Sequence, residues 1–124
     1  MFKDKTSSAI VAVADLDRAR AFYQDVLGLT AQADDNNVIV YRTGGTRLMV
    51  YHSDSAGTNQ ANAVVWDAGD DFDAIHAELK GKGVVFEEYP GMGMTIDDGV
   101  HRAGDFKAAW FKDPDGNVLH FNSM

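Results

Sequence analysis

Four histidines, His52, His76, His101 and His120, are the only imidazoles in the chain. Cysteine is absent, so disulfides, thiolate nucleophiles and cysteine-bound zinc are excluded. Metal or acid–base chemistry near neutral pH would have to use these histidines together with the nineteen Asp and Glu residues. His120 lies in a terminal strand and reads either as a polar group of a pocket or as a structural histidine. His52 ends a strand, where it either rims a pocket or is solvated. His101 stands beside Arg102 in a glycine-rich segment, to be carried into a site on a closing loop or left in solvent. His76 falls mid-helix beside an apolar stripe and reads as a surface or boundary residue.

Other chemistries find no motif. There is no phosphate-cradling G-x-x-x-x-G-K, and the glycines of 91–104 do not follow a strand–helix pattern. No serine sits in a nucleophile elbow. The aspartates of Asp113-Pro114-Asp115-Gly116 read as turn formers. The net charge of −8, with a sequence pI near 4.7, disfavours polyanions, and the basic residues are scattered, so nucleic acid is not an expected partner. The same field either attracts a cationic small molecule or serves only solubility. No apolar run approaches the ~20 residues needed to span a bilayer. Met1–Ser8 lacks a charged-then-apolar leader, which with the missing cysteines gives a cytoplasmic expectation.

The elements that must position these residues are legible from periodicity. Ser8–Val13 is a strand with Ala9, Val11 and Val13 on one face and Ser8, Ile10 and Ala12 on the other. Asp15 is a suitable N-cap. Ala19, Phe22, Tyr23, Val26 and Leu27 make one helical stripe that stops at Gly28. Strands follow at 30–33, 38–42 and 47–52, turned by Asp34–Asn37 and Gly44-Gly45. Residues 53–62 are polar and aperiodic, a linker. A second strand, 63–68, leads to a helix capped by Asp70 or Asp71, carrying Phe72, Ile75 and Leu79 and ending at 81–83. Residues 84–89 form the next strand. Residues 90–105, with four glycines and Met92 and Met94, read as a loop over a site in preference to a ragged hairpin. Residues 107–111 and 118–122 form the last hairpin. Trp66 should pack on the second helix. Either Trp110 or Phe111 faces the opposite side, and the strand aromatics Tyr41 and Tyr51 carry the same ambiguity.

The chain is thus one motif written twice. SAIVAVADLDRARAFY (8–23) and AVVWDAGDDFDAIHAEL (63–79) each pair a strand with an acidic turn and a helix, some 55 positions apart, and each leads into three strand-like runs. A length of 124 residues suits one domain or two small repeats. VADLDRARAFYQDVLGL (13–29) and AAWFKDPDGNVLHF (108–121) resemble the vicinal oxygen chelate superfamily of glyoxalase I, extradiol dioxygenases, and fosfomycin- and bleomycin-resistance proteins. The resemblance covers nearly the whole chain. It implies an α+β fold: two tandem βαβββ modules (about 6–52 and 63–124) forming a cupped eight-stranded mixed sheet with the helices outside, and commonly a homodimer.

Enzymes of that superfamily hold a divalent metal with His, Gln and Glu side chains inside the cup. Carried over by resemblance, the four ligand positions fall on Ser8, Met49, Ala63 and His120, only one of which is a credible ligand. Asp67 faces the cup if Ala63, Val65 and Asp67 form one row. Three protein ligands are the usual minimum for a catalytic metal. The expected site is therefore a ligand pocket lined by Ser8, Ile10, Met49, Tyr51, Ala63, Val65, Asp67, Trp110 and His120, with no cofactor. Its ligand is an organic molecule, cationic or aromatic, as for the acidic bleomycin-resistance-type relatives. The alternative is a glyoxalase-like lyase, isomerase or dioxygenase whose divalent metal is held by His101, His52, His120 and Asp67. A third reading is an accessory protein with no small ligand.

Overall fold

The structure, a computed structural model, describes all of residues 1–124. They cluster into two compact units, Met1–Thr58 and Asn59–Met124. Together these comprise two sheets, ten strands and two α-helices, an α+β fold consistent with tandem βαβββ modules. No helix is long and apolar enough to cross a membrane.

In the first unit β1 (Ala9–Val13) leads through Asp15 into α1 (Leu16–Arg20), and β2 (Ala31–Asp34), β3 (Val38–Thr43) and β4 (Thr46–His52) follow. The strand order is β1-β4-β3-β2, with β1 parallel to β4 and the other pairs antiparallel. The Asp15 carboxylate accepts the Asp17 and Arg18 backbone N–H groups, which otherwise have no partner in a first turn. The helix does not stay α-helical. It widens into a π-helical segment over Ala21–Val26, closed by Leu27 N–H to the Phe22 carbonyl, before Gly28 ends it at φ +72°. The widened segment carries the fully buried Tyr23 ring to 6.0 Å from the equally buried Tyr41. Gln24 donates to the Tyr41 hydroxyl, and burial pushes that phenol up. Val11, Val13, Ile39, Leu48 and Val50 complete this core, all from the sheet face that meets the helix. Arg20 then ties the helix to the β2–β3 turn. Its guanidinium donates to both Asp34 carboxylate oxygens at 2.7 and 2.8 Å, to Asp17 at 2.7 Å and to Asn36 at 3.0 Å. That contact holds the Asp34 carboxyl down at about 2.

In the second unit β5 (Asn62–Asp67) leads through a 3-10 turn, Gly69–Asp71, into α2 (Phe72–Gly81). β6 (Phe86–Glu87), β7 (Thr95–Asp97), β8 (Val100–Ala103), β9 (Phe106–Lys112) and β10 (Val118–Asn122) follow. The sheet order is β5-β10-β9-β8-β7, with β6 also paired to β9. Asp71 occupies the cap position of α2, but its side chain makes no capping bond, because the 3-10 turn ahead of it already leads the chain into the helix. Phe72, Phe111, Phe121 and Phe86 form the core under α2, with Phe72 and Phe121 centroids 4.8 Å apart. Trp66 pairs with Phe121 on that side and stays half-buried.

Three expectations need correction here. The strand of 84–89 shrinks to Phe86–Glu87. Residues 90–105 are not a loop but hold the β7–β8 hairpin, which accounts for the strands beyond the eight implied by resemblance. Its two-residue turn is Asp98-Gly99 at φ +53° and +76°, the positive angles that let an Asp-Gly step match the strand twist. His76 is buried rather than a surface or boundary residue. It stacks on Phe86 at 4.4 Å, and its Nε2 donates to the Asp98 carbonyl at 2.8 Å. Lys80 pairs with the Asp98 carboxylate, so α2 grips the turn at two points.

A Cβ at Gly99 would lie 2.4 Å from Phe86 Cβ, whereas one at Gly116 (φ +84°) would meet nothing within 4 Å. Gly99→Ala should therefore cost both left-handed strain and overpacking, roughly 2–4 kcal/mol in urea unfolding. Gly116→Ala should cost only the strain, about 1 kcal/mol, and equal losses at the two sites would contradict this packing. The Asp34 carboxyl titrates lower folded than unfolded, so its contribution is complete above the ordinary carboxylate value of 3.8 and fades as pH falls toward about 2. Arg20→Gln should accordingly lower stability at pH 6, with the difference from wild type closing over that acid range.

Candidate functional site

Within the first unit, Ile10, Met49 and Val40 lie side by side in register across β1, β4 and β3, and Ala12, Tyr51 and Val38 form the next row. This is the sheet face away from α1. Ile10 is 57% exposed in mid-strand, and Met49 and Tyr51 are half-buried. Ser8 stands at the start of this edge, its hydroxyl 3.5 Å from that of Thr46. The structure therefore brings Ile10, Met49 and Tyr51 together. Tyr41, on the opposite face, belongs to the core.

Within the second unit, His120 pairs with Trp110 of β9 on one side and Val65 of β5 on the other. Trp110, not Phe111, shares the face of His120; Phe111 lies in the helix layer with Phe86 and Phe121. Val65 is 58% exposed, the counterpart of Ile10 in the other repeat. Asp67 is exposed beside Asn122, and Ala63 is half-buried at a bulge in the β5–β10 register.

The environment of His120 decides its chemistry. The ring lies 4.5 Å from Trp110 at an interplanar angle of 22°, a stacked pair. The Ala109 carbonyl, 3.0 Å from Nδ1, can only accept, so Nδ1 carries the proton. Asn122 Oδ1 accepts the Met124 N–H at 3.0 Å, which turns the Asn122 amide nitrogen toward His120 Nε2 at 3.3 Å. Both ring nitrogens are thereby engaged. Burial pushes the imidazolium down, and the proximity of His101 acts in the same direction, against the Ala109 bond that favours the charged form.

His101 is not on a closing loop. It lies in β8, fully buried, edge-on to Trp110 at 4.8 Å. The Tyr89 backbone N–H donates to its Nε2 at 2.9 Å, which leaves Nδ1–H to donate to the Gly99 carbonyl at 3.1 Å. The Tyr89 ring caps the group, 5.4 Å from Trp110 at 88°. Ala108, Trp110 and Val118, with Tyr89 and Phe106 packed against them, make a second small core on this face. His52 is exposed at the end of β4. No three His, Asp or Glu side chains come close enough to hold a metal ion, and His101 and His120 have no free nitrogen to offer one, so the residues present do not fit a divalent metal. Tyr89 and Asn122 escaped the sequence reading; for Asn122 the available signal was its place two residues after His120, on the same strand face.

A sequence profile of the Glyoxalase/Bleomycin resistance protein/Dioxygenase superfamily matches residues 6–121. No curated protein matches in sequence. Among solved structures, lactoylglutathione lyase from Agrobacterium tumefaciens is similar at 17% identity and a TM-score of 0.73, covering 98% of this chain and 95% of that one. The fosfomycin resistance protein FosX from Mesorhizobium loti is similar at 13% identity and 0.71, covering 100% and 94%. Oxidase ChaP-H2 is similar at 21% identity and 0.73, covering 99% and 95%. At such identities the likeness is one of fold.

The hydrogen bonds at His101 and His120 predict the Nδ1–H tautomer for both in long-range proton–nitrogen NMR spectra. His120 should titrate below the ordinary imidazole value of about 6.5. The unfolded chain then takes up its proton first, so this residue lowers stability as pH falls through that value. A His120 midpoint at or above the ordinary value, or an Nε2–H tautomer at either ring, would contradict the geometry.

Proposed function

The chain belongs to the Glyoxalase/Bleomycin resistance protein/Dioxygenase superfamily, and from that premise we propose that it binds an organic small molecule without the divalent-metal centre of the family's enzymes. The observation that carries this reading is the state of His120, the only imidazole at a matched ligand position. Its Nδ1 proton is given to Ala109 and its Nε2 lone pair is met by Asn122. Metal capture there would first have to break the Asn122 contact and would still leave one protein ligand where about three are needed. Ser8, Met49 and Ala63, at the other matched positions, supply no imidazole or carboxylate.

The residues that remain are suited to contact without covalent chemistry. Ile10, Met49, Tyr51 and Val65 offer exposed or half-exposed apolar surface on regular strands. Apolar walls with a few fixed polar groups are the usual make-up of a ligand pocket. We assign Ser8 to the margin of the first unit's surface, with Ile10, Met49 and Tyr51, and Ala63 and Asp67 to the margin of the second unit's, where Val65 is open and Trp110 and His120 give aromatic support. A cytoplasmic homodimer is part of the same proposal; sedimentation of the untagged protein tests its oligomeric half.

Titration of untagged protein with Ni²⁺, Zn²⁺ and Mn²⁺ should show no stoichiometric tight site. Stoichiometric binding that His120→Ala abolishes would overturn the proposal. In a thermal-shift screen of aromatic compounds, a true ligand at about 100 times its Kd should add about 2.7 kcal/mol, a rise of several degrees in Tm. No shift with any compound would favour an accessory role instead.

A further inference from the structure

The charge that matters to a ligand is local, and on the open face of the first unit it is not negative. The acidic excess of the chain lies mostly in residues 59–124, whereas residues 1–58 are nearly balanced. Four of the seven aspartates in the first unit are fixed elsewhere: Asp15 on its cap, Asp17 and Asp34 on Arg20, and Asp35 in the β2–β3 turn; Asp25 lies in the helical segment, and Asp4 and Asp54 lie outside the strands. Alternation along β3 and β4 puts Val38, Val40 and Arg42 on one face with Arg47, Met49 and Tyr51. No acid of the four strands shares that face.

Arg42 and Arg47 are moreover directly opposite each other in the β3–β4 register. Like charges in that position repel. Both side chains are exposed, and neither guanidinium has a hydrogen bond or ion pair to answer the repulsion. Arg20, by contrast, has three partners. The next register pair along the same face is Val40 with Met49, and Ile10 pairs with Met49 beyond it. A positive pair therefore stands at one end of an apolar strip in which Ile10 is exposed and Val40 and Met49 are half-buried. Arg42 also borders an open depression of about 510 Å³ formed with Gly28–Gln32 and Gly44, which leaves room beside the guanidinium for a headgroup.

We propose that this face takes an amphipathic organic anion, with its carboxylate or phosphate group between Arg42 and Arg47 and its apolar body along Val40, Met49 and Ile10. This rests on the small-molecule reading above and narrows its ligand to an anion, against the cation that the net charge suggests. Paired guanidinium forks fit a carboxylate or phosphate, and an anion between them turns a repulsive pair into two attractive ones.

The test compares three probes of one shape by calorimetry: naphthoate, the neutral naphthalenemethanol and the cationic naphthylmethylammonium. Naphthoate should bind most tightly, and its affinity should fall as salt is raised. The double variant Arg42→Gln/Arg47→Gln should weaken it about tenfold or more, whereas Arg18→Gln, which removes a charge on α1 across the sheet, should leave it unaltered. Circular dichroism and thermal unfolding check that the variants fold, as expected for exposed positions. Equal binding of the three probes, or an unchanged naphthoate affinity in the double variant, overturns the anion site while leaving an apolar pocket standing. A change of oligomeric state in the double variant without loss of naphthoate binding assigns the pair to a contact between copies, and also overturns it. If the wild type binds none of the three, the apolar strip is not a ligand surface and the small-molecule reading falls with it.

Discussion

Trp110 is held in place by two imidazoles whose four ring nitrogens are all engaged. His120 lies flat on it and His101 meets it edge-on. Each ring spends its Nδ1 proton on a carbonyl and its Nε2 lone pair on an N–H donor. Protonating His120 would set its Nε2–H against the Asn122 amide donor in a buried layer, which is costly. The β8, β9 and β10 strands are thus stitched across this face by side chains as well as by their ladder. Tyr89 and the chain leading to β7 are fastened to the same ring system. The histidine of the last strand therefore has both ring nitrogens engaged within its own sheet.

The two repeats solve the same burial problem on one face and diverge on the other. Beneath the helices, Tyr23 on Tyr41 in the first unit and Phe72 on Phe121 in the second bury aromatic pairs against the sheet. Those contacts supply the apolar burial that each unit needs, at roughly 1.5–3 kcal/mol per fully buried large side chain. The far faces are then free to differ. In the second unit the far face is filled by its own aromatic residues. In the first it is left as a partly exposed strip of Ile10, Met49 and Val40 ending in two unanswered arginines.

Most of the scaffold was legible because its signals are local. Asp15, Gly28, the 13–29 stripe and the Asp-Pro-Asp-Gly turn each specify a backbone geometry within a few residues, and the elements fall within a residue or two of the periodicity. Asp113 accepts the Asp115 and Asn117 backbone N–H groups, as a turn former should. What failed to read out was set by contacts distant in sequence. His76 looked like a boundary residue because nothing nearby announces that Asp98, 22 residues on, will receive its proton. The β7–β8 hairpin had its signal in the Asp98-Gly99 step, but the crowd of glycines around it argued for a loop. That Ser8, Met49 and Ala63 carry no imidazole or carboxylate is plain in the sequence; that the ring nitrogens of His120 and His101 are engaged depends on partners in neighbouring strands and was not.

Net charge is a coarse guide to any one face for a similar reason. A total of −8 describes the field at a distance, where salt screens it within about 8–10 Å. A ligand lying on a sheet face feels the groups within that range. Around Val40 and Met49 those include two guanidinium groups and no carboxylate from the four strands on the same face, since Asp15, Asp17, Asp34 and Asp35 are drawn off to a cap, an arginine and a turn. The sequestering is itself structural: each of those carboxylates is fixed by hydrogen bonds that also define a turn or a helix end. The tasks that give the first unit its shape therefore remove negative charge from its open face, and the positive pair is left as the dominant local source.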